Sequence, residues 1–129
     1  MVFVDSGKNQ IRNWMGNTGP TNPRPAYMAL GSIGSPLFVS NNSGLRYEVD
    51  NTRRVFDSNT GSSYNKLIEF EMILPTTEPS GLMPVYLREC ELSSGSPYNA
   101  LSVYSLSTFA GIEKANNIEL QTIVGVRIQ

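Results

Sequence analysis

The clearest pattern of apolar and polar positions lies at the end of the chain. From Ile118 to Gln129 the even positions are apolar except Thr122, and the odd positions are polar or small except Ile123. A period of two held this long predicts a strand with one face on a core and one toward water, running to the last residue. A helix would spread the same apolar residues around its circumference. Lys66 to Leu74 carries the same signature, with Ile68, Phe70, Met72 and Leu74 on one face and Lys66, Glu69 and Glu71 among the polar residues. The apolar faces of these two strands are expected to meet across a core.

Residues 6–15 hold the one helical pattern. Asp5 or Ser6 can serve as N-cap, Ile11, Trp14 and Met15 stand at helical spacing, and Gly16 can end the helix. Phe3 and Trp14 would pin it against a sheet. Residues 17–25 carry three prolines and form an extended connector. Tyr27 to Leu30 reads as a short strand, Gly31 to Pro36 as a loop, Pro36 to Ser40 as an edge segment, and Asn41-Asn42-Ser43-Gly44 as a turn. Leu45 to Val49 and Arg53 to Phe56 read as strands joined by Asp50-Asn51-Thr52, and Asp57 to Ser63 as a turn-rich loop. After a proline-rich loop from Pro75 to Pro84, Val85 to Leu92 and Leu101 to Leu106 form a hairpin around a turn at 93–99. About seven short strands between Gly, Pro and Asn turns predict an all-β fold. The expected architecture is a single antiparallel β-sandwich domain over 1–129 with one short N-terminal helix. Trp14, Phe70, Leu92 and Val126 are assigned to the core.

Composition narrows the chemistry. Charged residues make up 16% of the 129 residues, which is low, and the net charge of −1 leaves no electrostatic footprint for nucleic acid. Near neutrality also removes one guard against self-association. Cys90 is the one cysteine, so no intramolecular disulfide and no thiolate zinc site can form. No apolar run reaches the length of a membrane span, and Met1-Val2-Phe3-Val4-Asp5 lacks the basic region and apolar core of a signal peptide. Synthesis in a reducing cytoplasm is expected.

The chain has no histidine, which excludes triads that use a histidine base. A Ser–Lys pair is formally open, but Lys8, Lys66 and Lys114 sit in polar sequence settings expected to be solvated. Glu69/Glu71 and Glu89/Glu91 are carboxylate pairs roughly 7 Å apart on strands, a spacing that imitates a glycosidase pair, and a solvated strand face is the preferred reading. Asp57-Ser58-Asn59-Thr60-Gly61 opens like a calcium loop but lacks the closing acid, so Asx-turn chemistry is expected instead. Gly31-Ser32-Ile33-Gly34 is too short for a phosphate loop, and the sequon Asn41-Asn42-Ser43 has meaning only with secretion. Arg46, Arg53 and Arg54 form the basic cluster, expected to pair with Glu48 or with a neighbouring subunit. Tyr86, Tyr98 and Tyr104 are candidates for an aromatic binding surface, with strand-edge packing the preferred reading. No catalytic, cofactor-binding or metal-ligating set emerges.

Several phrases together resemble the small structural proteins of tailed bacteriophages. The opening Gly7-Lys8-Asn9, with Ile11-Arg12, is similar to that family's start, and Ala29-Leu30-Gly31-Ser32 to its following short strand. Leu45, Glu48, Val49 and Arg53, then Ile68 to Leu74, then Leu87 to Leu92, follow in the family's order. Phe109, Ile112, Lys114, Leu120 and the strand through Ile128 resemble its ending. The chain departs from the family at Ser32 to Ser35, at Glu91, where a glycine is usual, and in lacking a tryptophan in the last strand. The resemblance implies a non-enzymatic virion protein, made in the host cytoplasm, that assembles with copies of itself and with other phage structural proteins. The expected place is the tail tip, baseplate or fibre-attachment region. A capsid decoration protein, typically a trimer, is the near rival, and a glycan-binding β-sandwich the third reading. Arg46, Arg53, Arg54, Tyr86 and Arg88 are the candidate interface residues, as long side chains on predicted strand faces. Neither nucleic acid nor membrane is expected as a partner, and no cofactor.

Overall fold

The computed structural model describes residues 1–16, 25–62, 67–81, 83–95 and 103–127, with Trp14, Thr60 and Ser62 described through their backbone. The elements run β1 (Val2–Phe3), α1 (Asp5–Gly16), β2 (Tyr27–Gly31), β3 (Arg54–Val55) and β4 (Ser58–Ser62). They continue with β5 (Leu67–Leu74), β6 (Val85–Ser93), β7 (Val103–Lys114) and β8 (Leu120–Arg127). These strands form two antiparallel sheets, one in the order β1-β7-β6-β2-β3 and one in the order β4-β5-β8. The fold is all-β with one short helix, as its periodicity predicts.

The two strongest patterns behave as expected residue by residue. Along β8, Leu120, Thr122, Val124 and Val126 turn inward while Gln121, Ile123, Gly125 and Arg127 are exposed. Along β5, Phe70, Met72 and Leu74 are buried. Their relationship differs from the expectation. The two strands lie side by side in one sheet, Phe70 opposite Val124 and Leu74 opposite Leu120, so their apolar faces are continuous and do not oppose each other. What covers them comes from the larger sheet: Met28 and Leu30 of β2 and Leu87, Cys90 and Leu92 of β6 share one core cluster with Phe70, Met72, Leu74 and Val124. Phe70 and Leu92 are core residues as assigned, and Val126 packs partly buried against the cluster. The Trp14 side chain lies outside the described residues.

Several boundaries shift. Residues 58–62 form strand β4 along β5 and not a loop, and Asp57 accepts the Ile73 amide at 2.6 Å instead of capping its own turn. The segments 45–49 and 53–56 do not pair with each other. Both lie along the free edge of β2, Glu48 bridging Gly31 and Val55 facing Tyr27. Between them Asn51 takes a φ of 66°, which asparagine tolerates. The buried Thr52 hydroxyl accepts the Leu30 amide at 3.1 Å and lies 2.7 Å from the Val49 carbonyl, filling the gap in the ladder. Residues 36–40 form no strand, although Phe38 is buried. β7 continues to Lys114, well past the expected end at Leu106.

Helix α1 docks on β7 with an unexpected face. Ile11 and Met15 are exposed, and among the described side chains of the helix the buried positions are Gly7 and Gln10. Ser6 Oγ donates to the Val103 carbonyl at 2.6 Å and Gln10 Nε2 reaches the same oxygen at 3.4 Å. The spacing of Ile11, Trp14 and Met15 marks the helix correctly, but Ile11 and Met15 do not join its buried face, where among the described side chains a glycine and hydrogen-bonding residues make the contact.

A buried charge cluster and an open strand edge

β6 is where the sequence expectation for its carboxylates fails. Register is irregular between Leu87 and Glu89, and this bulge changes which side chains face which way. Cys90 and Leu92 point into the main core, while Glu89 and Glu91 point to the opposite face of the sheet. There they stand opposite Gly31 and Ala29 of β2, beneath the 32–53 segment, and both carboxylates have no exposed surface. The solvated strand face expected for this pair is not what the chain builds. Glu69 is exposed as expected.

Two arginines of the candidate set pair with these carboxylates. Arg46 Nη1 donates to Glu89 Oε2 at 3.1 Å, its Nη2 to the Pro36 carbonyl, and its guanidinium stacks 4.1 Å from the Phe38 ring centroid. Arg53 Nη2 donates to Glu48 Oε1 at 2.5 Å and to Glu91 Oε2, and its Nη1 to Ser93 Oγ at 2.9 Å. Pairing of this group with Glu48 is as the sequence predicts; the pairings with Glu89 and Glu91 are not legible in it. Burial raises the Glu89 carboxyl above the ordinary range against the pull of Arg46. Burial also raises Glu91, with the Glu48 charge adding to it and Arg53 opposing. One Glu91 oxygen, Oε1, is buried without a hydrogen-bond partner. The cluster fixes the 32–53 segment to the sheet, with three carboxylates against two guanidiniums.

The remaining candidates lie elsewhere. Arg54 reaches from β3 to the Ile73 carbonyl of β5 at 3.1 Å, tying the two sheets together. Tyr86 and Arg88 come together on the surface of β6: the guanidinium lies 5.2 Å from the ring centroid, and Tyr86 Oη donates to Glu113 at 2.9 Å. Tyr104 is buried and edge-on to Phe3, and Tyr98 lies outside the described residues, so the three tyrosines form no described common surface. Lys114 is fully buried, contrary to its expected solvation. Its Nζ donates to the Ala115 carbonyl at 3.1 Å, and burial lowers its pKa despite the Glu78 charge. Lys8 is exposed, 3.7 Å from Asp5, and Lys66 lies outside the described residues. Among the described residues no three His, Cys, Asp or Glu side chains converge as metal ligands.

The open feature of the molecule is an edge. β8 is the last strand of its sheet, paired with β5 on one side and with no described strand on the other. On β7, β1 covers only Ser105 and Leu106, so from Ser107 to Lys114 its side away from β6 also has no described strand. A cleft of about 250 Å³ runs between the two edges, lined among others by Met1, Ser107, Phe109, Thr122 and Ile123, with Cys90 at its wall. Burial and the nearby Glu91 charge push the Cys90 thiol up to about 12. Ile123 is half exposed on the β8 edge. Such edges present rows of unpaired backbone amides and carbonyls, the usual place for a further strand to add. No protein-family model, curated protein or solved structure matches this chain.

Proposed function

We propose that the chain is a non-enzymatic structural protein that works by assembly, docking through its open strand edges to copies of itself and to neighbouring proteins. The observation behind this reading is the pair of edges that no described strand covers, β8 and the outer part of β7, on either side of one cleft. The long side chains singled out as contacts from sequence are in large part used internally, with Arg46 and Arg53 holding the buried carboxylates. That moves the emphasis from basic side chains to backbone edges, where main-chain hydrogen bonds supply affinity and side chains supply register.

The setting we propose is a tailed-phage virion, in the tail tip, baseplate or fibre-attachment region, and it rests on the ordered phrases from Gly7 to Ile128 that resemble that family. Quantitative mass spectrometry of purified particles against the major capsid protein tests it. A few to some tens of copies are expected. Hundreds would move the protein to the capsid surface, and absence from the particle would overturn the virion setting.

A further inference from the structure

The β8 edge is complementary to itself. We propose that a second copy of the chain extends the three-stranded sheet by pairing its own β8 antiparallel to the first, with the two-fold axis at Ile123. This deepens the assembly reading above and rests on it. The axis sets residue numbers summing to 246 opposite one another. Glu119, the residue just before β8, then faces Arg127 of the second copy, and Arg127 faces its Glu119. Gln121 falls opposite Gly125, Thr122 opposite Val124, Leu120 opposite Val126, and the two Ile123 side chains meet at the axis. Among two-fold registers along this strand, this is the one that brings the acidic and basic ends together twice.

Four observations support it. Glu119 and Arg127 are both exposed, and neither forms an ion pair with another described residue. Ile123, the one large apolar side chain on the outward face of β8, is 50% exposed and sits midway between them. Gly125, where a Cβ would stand 3.3 Å from Leu67 Cδ1 of β5, presents no side chain to obstruct the Gln121 of the second copy set opposite it. An axis perpendicular to the sheet keeps Leu120, Val124 and Val126 of both copies on one side, so the apolar face would continue through a six-stranded sheet, β4-β5-β8-β8-β5-β4. In an antiparallel pair an axis through a residue satisfies either set of outward amides and carbonyls, so the register needs no change in the strand. Opposite charges facing each other across strands favour it, and like charges oppose it.

Sedimentation equilibrium of the full chain tests the register through charge reversal. Glu119→Lys and Arg127→Glu should each weaken dimerisation by about tenfold, because each turns both ion pairs into repulsive ones. The double variant should recover wild-type association. In Ile123→Cys the two new thiols would face each other at a Cα separation within disulfide reach, so diamide oxidation should give a covalent dimer. An oligomer indifferent to all these changes would overturn the β8 register and leave the wider assembly reading standing. A monomer at every accessible concentration would overturn self-pairing, while presence in purified particles would still support assembly with other proteins.

Discussion

Arg53 and Glu91 are joined by a hydrogen-bonded ion pair in which the carboxylate has no exposed surface and the guanidinium is shared with Glu48. A buried charge without its partner is costly, whereas the net worth of an intact buried pair is small. Arg53→Ala should therefore lower stability by about 3–5 kcal/mol. Glu91→Gln should cost less than half as much, because Arg53 keeps Glu48 and the amide still accepts a hydrogen bond. Urea unfolding at neutral pH reads both, and equal losses would mean that Arg53 acts through packing instead of charge.

The same cluster gives a pH dependence with a definite sign. Glu89 and Glu91 bind their protons more tightly in the folded chain than in the unfolded one, since burial raises both. Their contribution to stability is fully present below the ordinary carboxylate range of about 4 to 4.5 and is lost as pH rises through their folded pKa values. The double variant Glu89→Gln/Glu91→Gln should remove this part of the slope. Urea midpoints measured from pH 4 upward test it, and an identical slope in wild type and variant would contradict it.

Gly7 explains how a helix with polar inward residues docks so closely. A Cβ at this position would stand 2.5 Å from the Tyr104 carbonyl oxygen and 2.7 Å from its Cα, both of them backbone. Gly7→Ala should thus destabilise by about 1–3 kcal/mol through overpacking, although alanine gains up to about 1 kcal/mol in helix propensity. Thermal unfolding with circular dichroism measures the balance. A stabilised variant would show that α1 can lift from β7 at little cost.

Cys90 reports on the depth of the cleft. With its thiol pushed up to about 12 and its side chain buried, it should resist a thiol reagent at pH 8 in native buffer and react at the rate of unfolding in urea. Rapid native labelling would show that the cleft opens to the sulfur.

How much of this was legible in sequence follows from what each element depends on. β5 and β8 are written in their side chains, since a half-buried strand must alternate, and the β6–β7 pairing follows from two strand patterns around a turn. β4, Ser58-Asn59-Thr60-Gly61-Ser62, has no apolar alternation to find: it is an edge strand held by the backbone of β5. The buried carboxylates are hidden for another reason. Glu89 and Glu91 flank a core cysteine on a strand without clean alternation, and only the bulge, the small residues Ala29 and Gly31 opposite, and the return of Arg46 and Arg53 make their burial possible. Those are long-range relationships, and no local pattern in the chain announces them.

In the proposed function the edges that no described strand covers are the working surface. Amide hydrogen exchange of the full chain, dilute and concentrated, tests it most directly. Protection should rise with concentration in Leu120 to Arg127, with the remaining strands little changed. A rise confined to segments other than Leu120 to Arg127 and Ser107 to Lys114, or no rise at any concentration together with absence from particles, would overturn the proposed edge docking.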